Sequence, residues 1–259
     1  MVILSSDLPV RKISFRGRKS NKMGGKKSTP TPPEDFDKPF RNVDWNAKEL
    51  LKSQLSGFQF NHPGISQFRI LLHGPVGAGK SCIINSTESV FKGRIVVKAE
   101  EETSAGKSCT KTFNPASPLI DSDPDFITEP RPDDKVHCLV SVVPAASISQ
   151  MAEDVIQKMK TVRKKAVSLG IPHVVLMTKI DCLGPLVKKD LSQVYKSRKI
   201  KEKMEVCSQR LGPPMKCIFP VSNYYEESEI NEKKDVLILM ALKEILFGFV
   251  KDYFEDGNI

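Results

Sequence analysis

The chain has 259 residues, with 40 Lys+Arg against 31 Asp+Glu and a formal net charge of +9. At 39% hydrophobic it has enough apolar mass for a core, which excludes a wholly disordered chain, and no run nears the roughly 20 apolar residues that a membrane-spanning helix needs. Six cysteines without C-x-x-C pairing or zinc-finger spacing to the four histidines point to a reducing compartment rather than a disulfide scaffold.

The charge is uneven. Residues 1–33 hold Arg11, Lys12, Arg16, Arg18, Lys19, Lys22, Lys26 and Lys27 against Asp7 alone, so most of the surplus sits there. This stretch is also rich in Ser and Gly and closes on Thr-Pro-Thr-Pro-Pro. It reads as a disordered basic arm over residues 1–35. Its function is open: a plain solvated tail, a nuclear address, or weak contact with RNA or an acidic surface. The opening apolar tetrapeptide is too short for the core of a secretory signal.

A helix is expected over residues 44–56, with Asp44 as N-cap, a stripe of Ala47, Leu50, Leu51 and Leu55, and Gly57 as its end. Residues 68–73 (FRILLH) suit a buried parallel strand. A glycine-rich turn and a helix over 80–91 follow, stopped by Gly93. Residues 136–143 (VHCLVSVV) give a second strand, ended by Pro144. Ser147 and Gln150 form a capping box for a helix whose stripe runs from Ile148 to Leu169, before Gly170 and Pro172. Residues 173–177 are a third strand. Residues 186–210 read as one basic helix, residues 215–220 as a fourth strand, and residues 235–254 as a last helix. Strands alternating with helices predict an α/β fold, a mostly parallel sheet covered on both faces.

The sharpest motif is Gly74-Pro75-Val76-Gly77-Ala78-Gly79-Lys80-Ser81, a complete match to G-x-x-x-x-G-K-[ST] between a strand and a helix. Its glycines let backbone N–H groups curl around phosphate oxygens, and the helix that opens at Lys80, Ser81 and Cys82 aims its positive end at the same place. Lys80 would neutralise the β- and γ-phosphates, and the Ser81 hydroxyl would ligate Mg²⁺. The second motif is Thr178-Lys179-Ile180-Asp181, directly after the third strand. It fits a guanine box, because a carboxylate at Asp181 can accept both N–H donors on the guanine edge, whereas adenine lacks that pair. Ser222 and Asn223, after the fourth strand, stand where a backbone contact to the base is expected. A plain surface loop explains those two equally well.

These motifs predict a P-loop NTPase-like G domain with GTP/GDP and Mg²⁺ as ligands. One part is missing. No D-x-x-G turn occurs between Phe113 and Asp134, a proline-rich stretch in which Asp121 is the best substitute carboxylate, with Pro124 at the glycine position. Asp181-Cys182-Leu183-Gly184 has the right letters, but it overlaps the guanine box and reads as coincidence. Thr103, Thr110 and Thr112 are alternative switch residues. No Gln or Arg can be nominated to orient a water, so no residue is assigned a catalytic role. The central part of the sheet is expected to be incomplete.

Residues 68–81, with 36–41 (FDKPFR) and Trp45 upstream, resemble the interferon-induced protein 44 and 44-like family of vertebrates. So do 103–113 (TSAGKSCTKTF), 136–144 and 170–181 (GIPHVVLMTKID). The resemblance spans residues 36–255, which predicts one domain there and a short tail at 256–259. It implies a cytoplasmic, interferon-induced protein of innate antiviral defence that binds guanine nucleotide and has protein partners in immune signalling. Nuclear entry would come through the basic arm. Family members carry an apolar strand ending in a D-x-x-G-like turn after the Thr-rich segment, so this chain is similar to a variant lacking that piece. Two functional readings follow: a guanine-nucleotide-binding protein, with slow GTP hydrolysis at most, or an interaction protein with a vestigial pocket.

Overall fold

A computed structural model of the chain describes residues 2–8, 35–58, 65, 67–97 and 135–250. The strands are β1 (Val2–Leu8), β2 (Arg69–Pro75), β3 (Cys138–Pro144), β4 (His173–Thr178) and β5 (Ile218–Pro220). The helices are α1 (Lys48–Ser56), α2 (Lys80–Lys92), α3 (Glu153–Ser168), α4 (Pro185–Lys189), α5 (Arg198–Leu211) and α6 (Glu232–Lys243), the last continuing as a π-helical segment, Glu244–Val250.

Strands β2 to β5 pair in parallel in sequence order, and β1 adds a fifth parallel strand on the free flank of β2. Every residue of β3 is buried, as a strand covered on both faces requires. Alternate side chains serve two cores. On one face Ile70, Leu72, Val140, Val142, Val174 and Leu176 pack with α1, α2 and α6. On the other, Val143, Val175, Met177 and Ile218 pack with α3 and α5 through Val155, Met159, Ile200 and Met204. The predicted α/β architecture with a helical layer on each face is therefore the observed one.

Several local expectations need correction. Asp44 does not cap α1: its carboxylate accepts from the Asn46 N–H at 3.0 Å in a turn, and the helix begins only at Lys48. Ser147 and Gln150 form a backbone turn rather than a capping box, and α3 starts only at Glu153. Ile148 is still buried, so the apolar period ran through a turn that packs like helix. Leu169, placed in the stripe, is exposed beyond the helix end. The single helix expected over 186–210 is broken. Asp190 ends α4, accepts from the Ser192 N–H, and starts a short 3₁₀ turn before α5. The fourth strand is shorter than expected because Met215–Cys217 is 3₁₀ helix. The last helix starts earlier, at Glu232, where the Asn231 side chain caps the N–H groups of Lys233 and Lys234.

The arm predicted over residues 1–35 starts with strand β1, since Val2-Ile3-Leu4 carries strand-forming side chains and β2 offers an open edge. Further along, the segment before α1 is pinned by Arg41, whose guanidinium donates to the carbonyls of Ile218 and Met215, both at 3.0 Å. It also stacks on Tyr195 and Phe219.

Two histidines near the start of the sheet carry no chemistry expected from sequence. His173 opens β4 with Nε2 2.9 Å from the Ser141 hydroxyl, and its Nδ1 is shut off from solvent with no partner. Burial first, then the positive charges of Arg163 and His73, push its pKa down to about 3. His137 accepts from the Arg69 N–H at 3.0 Å and ties β2 to the entry of β3.

Candidate nucleotide site

The glycine-rich turn stands at the carboxyl end of β2, the rim where ligands of parallel sheets gather. Gly74 is needed for packing. A Cβ there would meet the Val142 carbonyl oxygen at 2.2 Å, so β2 could not lie against β3 with any other residue. Gly79 is needed for conformation. It caps α2 with φ +95°, in the left-handed region that glycine adopts without strain. Ala78 is buried and Gly77 exposed, so the loop is anchored at one side and open at the other.

Lys80 is 5% exposed, and its ammonium turns back to donate to the carbonyls of Gly74 and Pro75, each at 3.1 Å. A lone buried ammonium is costly, and these two carbonyls offset part of that cost inside the loop. No side chain caps the N-terminus of α2, and no acidic residue lies in its first turn. The helix dipole, with its positive end at Lys80, Ser81 and Cys82, favours an anion there. Ser81 and Cys82 are half-buried. This arrangement fits a polyphosphate.

The guanine box joins the same rim. The buried Thr178 hydroxyl donates to the Ala78 carbonyl at 2.6 Å, so the loop after β4 is fastened to the phosphate loop. Lys179 follows with φ 56°, the one non-glycine positive φ among the described residues. Such a conformation costs about 1–2 kcal/mol per residue and is held only where surroundings impose it. It leaves the Lys179 side chain exposed over the rim while Ile180 is buried in the core beneath. Asp181 is half-buried, and its Oδ1 accepts from the Ser222 hydroxyl at 2.8 Å. The Asn223 amide donates to the Gly79 carbonyl at 3.3 Å, and its Oδ1 is buried without a partner. Thus Ser222 and Asn223, for which the sequence left a base contact and a plain loop equally open, are bonded to the two motifs.

A brace behind this corner was not read from sequence. The Tyr224 N–H donates to the Ser86 hydroxyl of α2 at 2.8 Å. The Tyr224 hydroxyl lies 2.6 Å from Asp235 Oδ1 and accepts from the Asn231 N–H at 2.7 Å. Burial, with the Asp235 carboxylate next, pushes the Tyr224 phenol up. Asp235 is fully buried and pairs with Lys48 of α1 at 2.9 Å. Burial alone would lower the Lys48 ammonium, but the Asp235 contact prevails and raises it. Lys234 donates to the Asn223 carbonyl at 2.9 Å and pairs with Glu227. The one sequence signal was the polar run Asn85-Ser86-Thr87 on a helix face that had to be inside.

Among the described residues no group of three or more His, Cys, Asp or Glu side chains is arranged to hold a metal ion. Mg²⁺ suits this rim only as a companion of phosphate oxygens, which is how it is usually bound, and the half-buried Ser81 is the side chain that would meet it. Asp121, Thr103, Thr110 and Thr112 lie outside the described residues. No described helix is long and apolar enough to cross a membrane.

No protein-family model matches the chain. It is 30% identical to human interferon-induced protein 44, in an alignment taking in 80% of this chain and 58% of that protein. It is 29% identical to the mouse protein, over 74% of this chain and 57% of that one, and 27% identical to human interferon-induced protein 44-like, over 74% and 53%. The chain thus spans less than two thirds of the length of these relatives. The first alignment runs over 260 residues yet takes in only 80% of a 259-residue chain, so the human protein carries residues inside the aligned stretch that this chain does not.

Proposed function

As this chain belongs to the interferon-induced protein 44 and 44-like family, we propose that it is a guanine-nucleotide-binding protein of the interferon-induced innate antiviral response. The observation that carries the nucleotide reading is the joining of two motifs that lie about a hundred residues apart. Thr178 bonds the guanine box to Ala78 of the phosphate loop, and Asn223 bonds the loop after β5 to Gly79.

In this reading the N-terminus of α2 and the Lys80 ammonium bind the β- and γ-phosphates. Ser81 holds Mg²⁺, which would draw charge from the phosphate oxygens. Asp181, oriented by Ser222, accepts the guanine edge, and the Lys179 stem covers the base. Hydrolysis is slow at most, because the sequence nominates no Gln or Arg to orient a water. The protein acts in the cytoplasm, with nuclear entry through the basic arm. That arm makes weak contact with RNA or an acidic surface, and protein partners in immune signalling read the nucleotide state.

Titration calorimetry of GTP against the unaltered chain and Lys80→Ala tests the phosphate half. Removing a charge-assisted contact of this kind costs roughly 100-fold in affinity. Unchanged affinity in Lys80→Ala removes the phosphate loop from the account.

A further inference from the structure

On the side of β4 and β5, the rim continues into two charged blocks of opposite sign. The first is basic. The turn after Asp181 runs into α4, where Lys188 and Lys189 are exposed. Lys199, in the first turn of α5, joins them: a Cβ on Gly184, just before α4, would stand 3.8 Å from the Lys199 ammonium. The second block is acidic. The segment between β5 and α6 carries Glu226 and Glu229, and α6 opens on Glu232, all three exposed. Both blocks lie beyond the carboxyl ends of parallel strands, since α4 follows β4 and the acidic segment follows β5. The Lys233 ammonium meets the Asp190 carboxylate at 2.6 Å, which ties the end of α4 to the start of α6 and sets the blocks side by side.

Glu227 is occupied within the chain by Lys234. The other charges are not: among the described residues, none of Lys188, Lys189, Lys199, Glu226, Glu229 and Glu232 forms an ion pair. Large apolar side chains are exposed on the same rim, Tyr225 at 62% and Leu186 of α4 at 38%. An exposed aromatic among unpaired charges is the composition of a docking face. The mixture of signs decides what fits it. A polyanion or an acidic bilayer is drawn by the lysines and repelled by the glutamates beside them. A second copy related by a twofold axis sets its glutamates against the lysines and, by the same operation, its lysines against the glutamates.

We propose that this face docks a second copy of the chain. In the symmetric dimer Lys188, Lys189 and Lys199 of each copy pair with Glu226, Glu229 and Glu232 of the other, around Tyr225 and Leu186. The second copy then stands beside the base corner formed by Asp181, Ser222 and Asn223. The face is complete without a ligand, so the dimer forms with or without nucleotide, and this inference is independent of the nucleotide reading above.

The test is sedimentation velocity of the full chain at about 100 μM, a concentration that populates even a weak interface. The unaltered chain sediments as a dimer in low salt and dissociates in about 1 M salt, where the screening length falls to about 3 Å. Lys188→Glu combined with Lys189→Glu is monomeric, and so is Glu226→Lys combined with Glu229→Lys, because each sets like charges against each other. Mixing the two variants restores a dimer that contains one of each, since the reversed blocks match again. The four altered side chains are exposed, and circular dichroism confirms that each variant is folded. An unaltered chain that stays monomeric in low salt, a dimer that survives either reversal, or folded variants that fail to pair on mixing overturns the proposal. Calorimetry with GTP on the same samples reads the other question. A chain that binds GTP and stays monomeric loses this inference alone; one that re-pairs on mixing and ignores GTP loses the nucleotide reading alone.

Discussion

At the base-side corner of the rim, Thr178, Asp181, Ser222 and Asn223 come from two loops, and each is hydrogen-bonded to another part of the site. At the opposite end of the same rim, β1 joins the sheet by pairing with the edge of β2. The first arrangement is over-determined: losing one bond leaves others to keep the loops together. The second depends on β1 staying paired to one edge of β2. The rim is thus firm where the loops after β4 and β5 meet and most separable at its edge strand.

The largest effect expected at the firm end comes from its brace. Asp235→Ala leaves Lys48 and Tyr224 with a lost partner in a buried position, and breaking such a pair costs about 3–5 kcal/mol. Denaturant unfolding should show that loss; a change under about 1 kcal/mol would mean the corner is not held from behind. Next in size is Asp181→Asn. It should cost GTP about 10- to 100-fold while ATP affinity stays as it was, since the amide cannot accept both guanine donors. An equal drop for both nucleotides would assign Asp181 to holding the loop rather than reading the base.

The effect that is smallest at neutral pH concerns acid. His173 has a native pKa of about 3 against an ordinary 6.5, so between those values the unfolded chain binds a proton that the folded one refuses. Stability contributed by the neutral ring is present above about pH 6.5 and is lost as pH falls toward 3, with a limiting slope of about 1.4 kcal/mol per pH unit. His173→Gln keeps a partner for Ser141 and should flatten that slope by one proton; an unaltered slope would place the acid sensitivity elsewhere.

The phosphate loop and guanine box were legible because their chemistry is local: glycines, a lysine and an aspartate at fixed spacing. The parallel sheet with helices on both faces was legible from strands alternating with helices. The brace was not, because Ser86, Tyr224 and Asp235 are scattered along the chain and meet only when α2 and α6 pack on one face. Caps failed for a related reason. Asp44 and Ser147 had the right residue type, but each was used in a turn just before its helix, where a side-chain or backbone oxygen can satisfy the same N–H groups. Strand β1 was hidden by composition, since seven strand residues precede a long basic, Gly- and Ser-rich stretch that sets the average.

The most direct measurement is the melting temperature of the unaltered chain in magnesium with GTP, GDP or ATP at equal concentration. A ligand bound only by the native state at about 100 times its Kd adds about 2.7 kcal/mol. The account predicts that GTP and GDP raise the melting temperature and ATP leaves it in place. No rise with any of the three at millimolar concentration, or the same rise with ATP as with GTP, contradicts it.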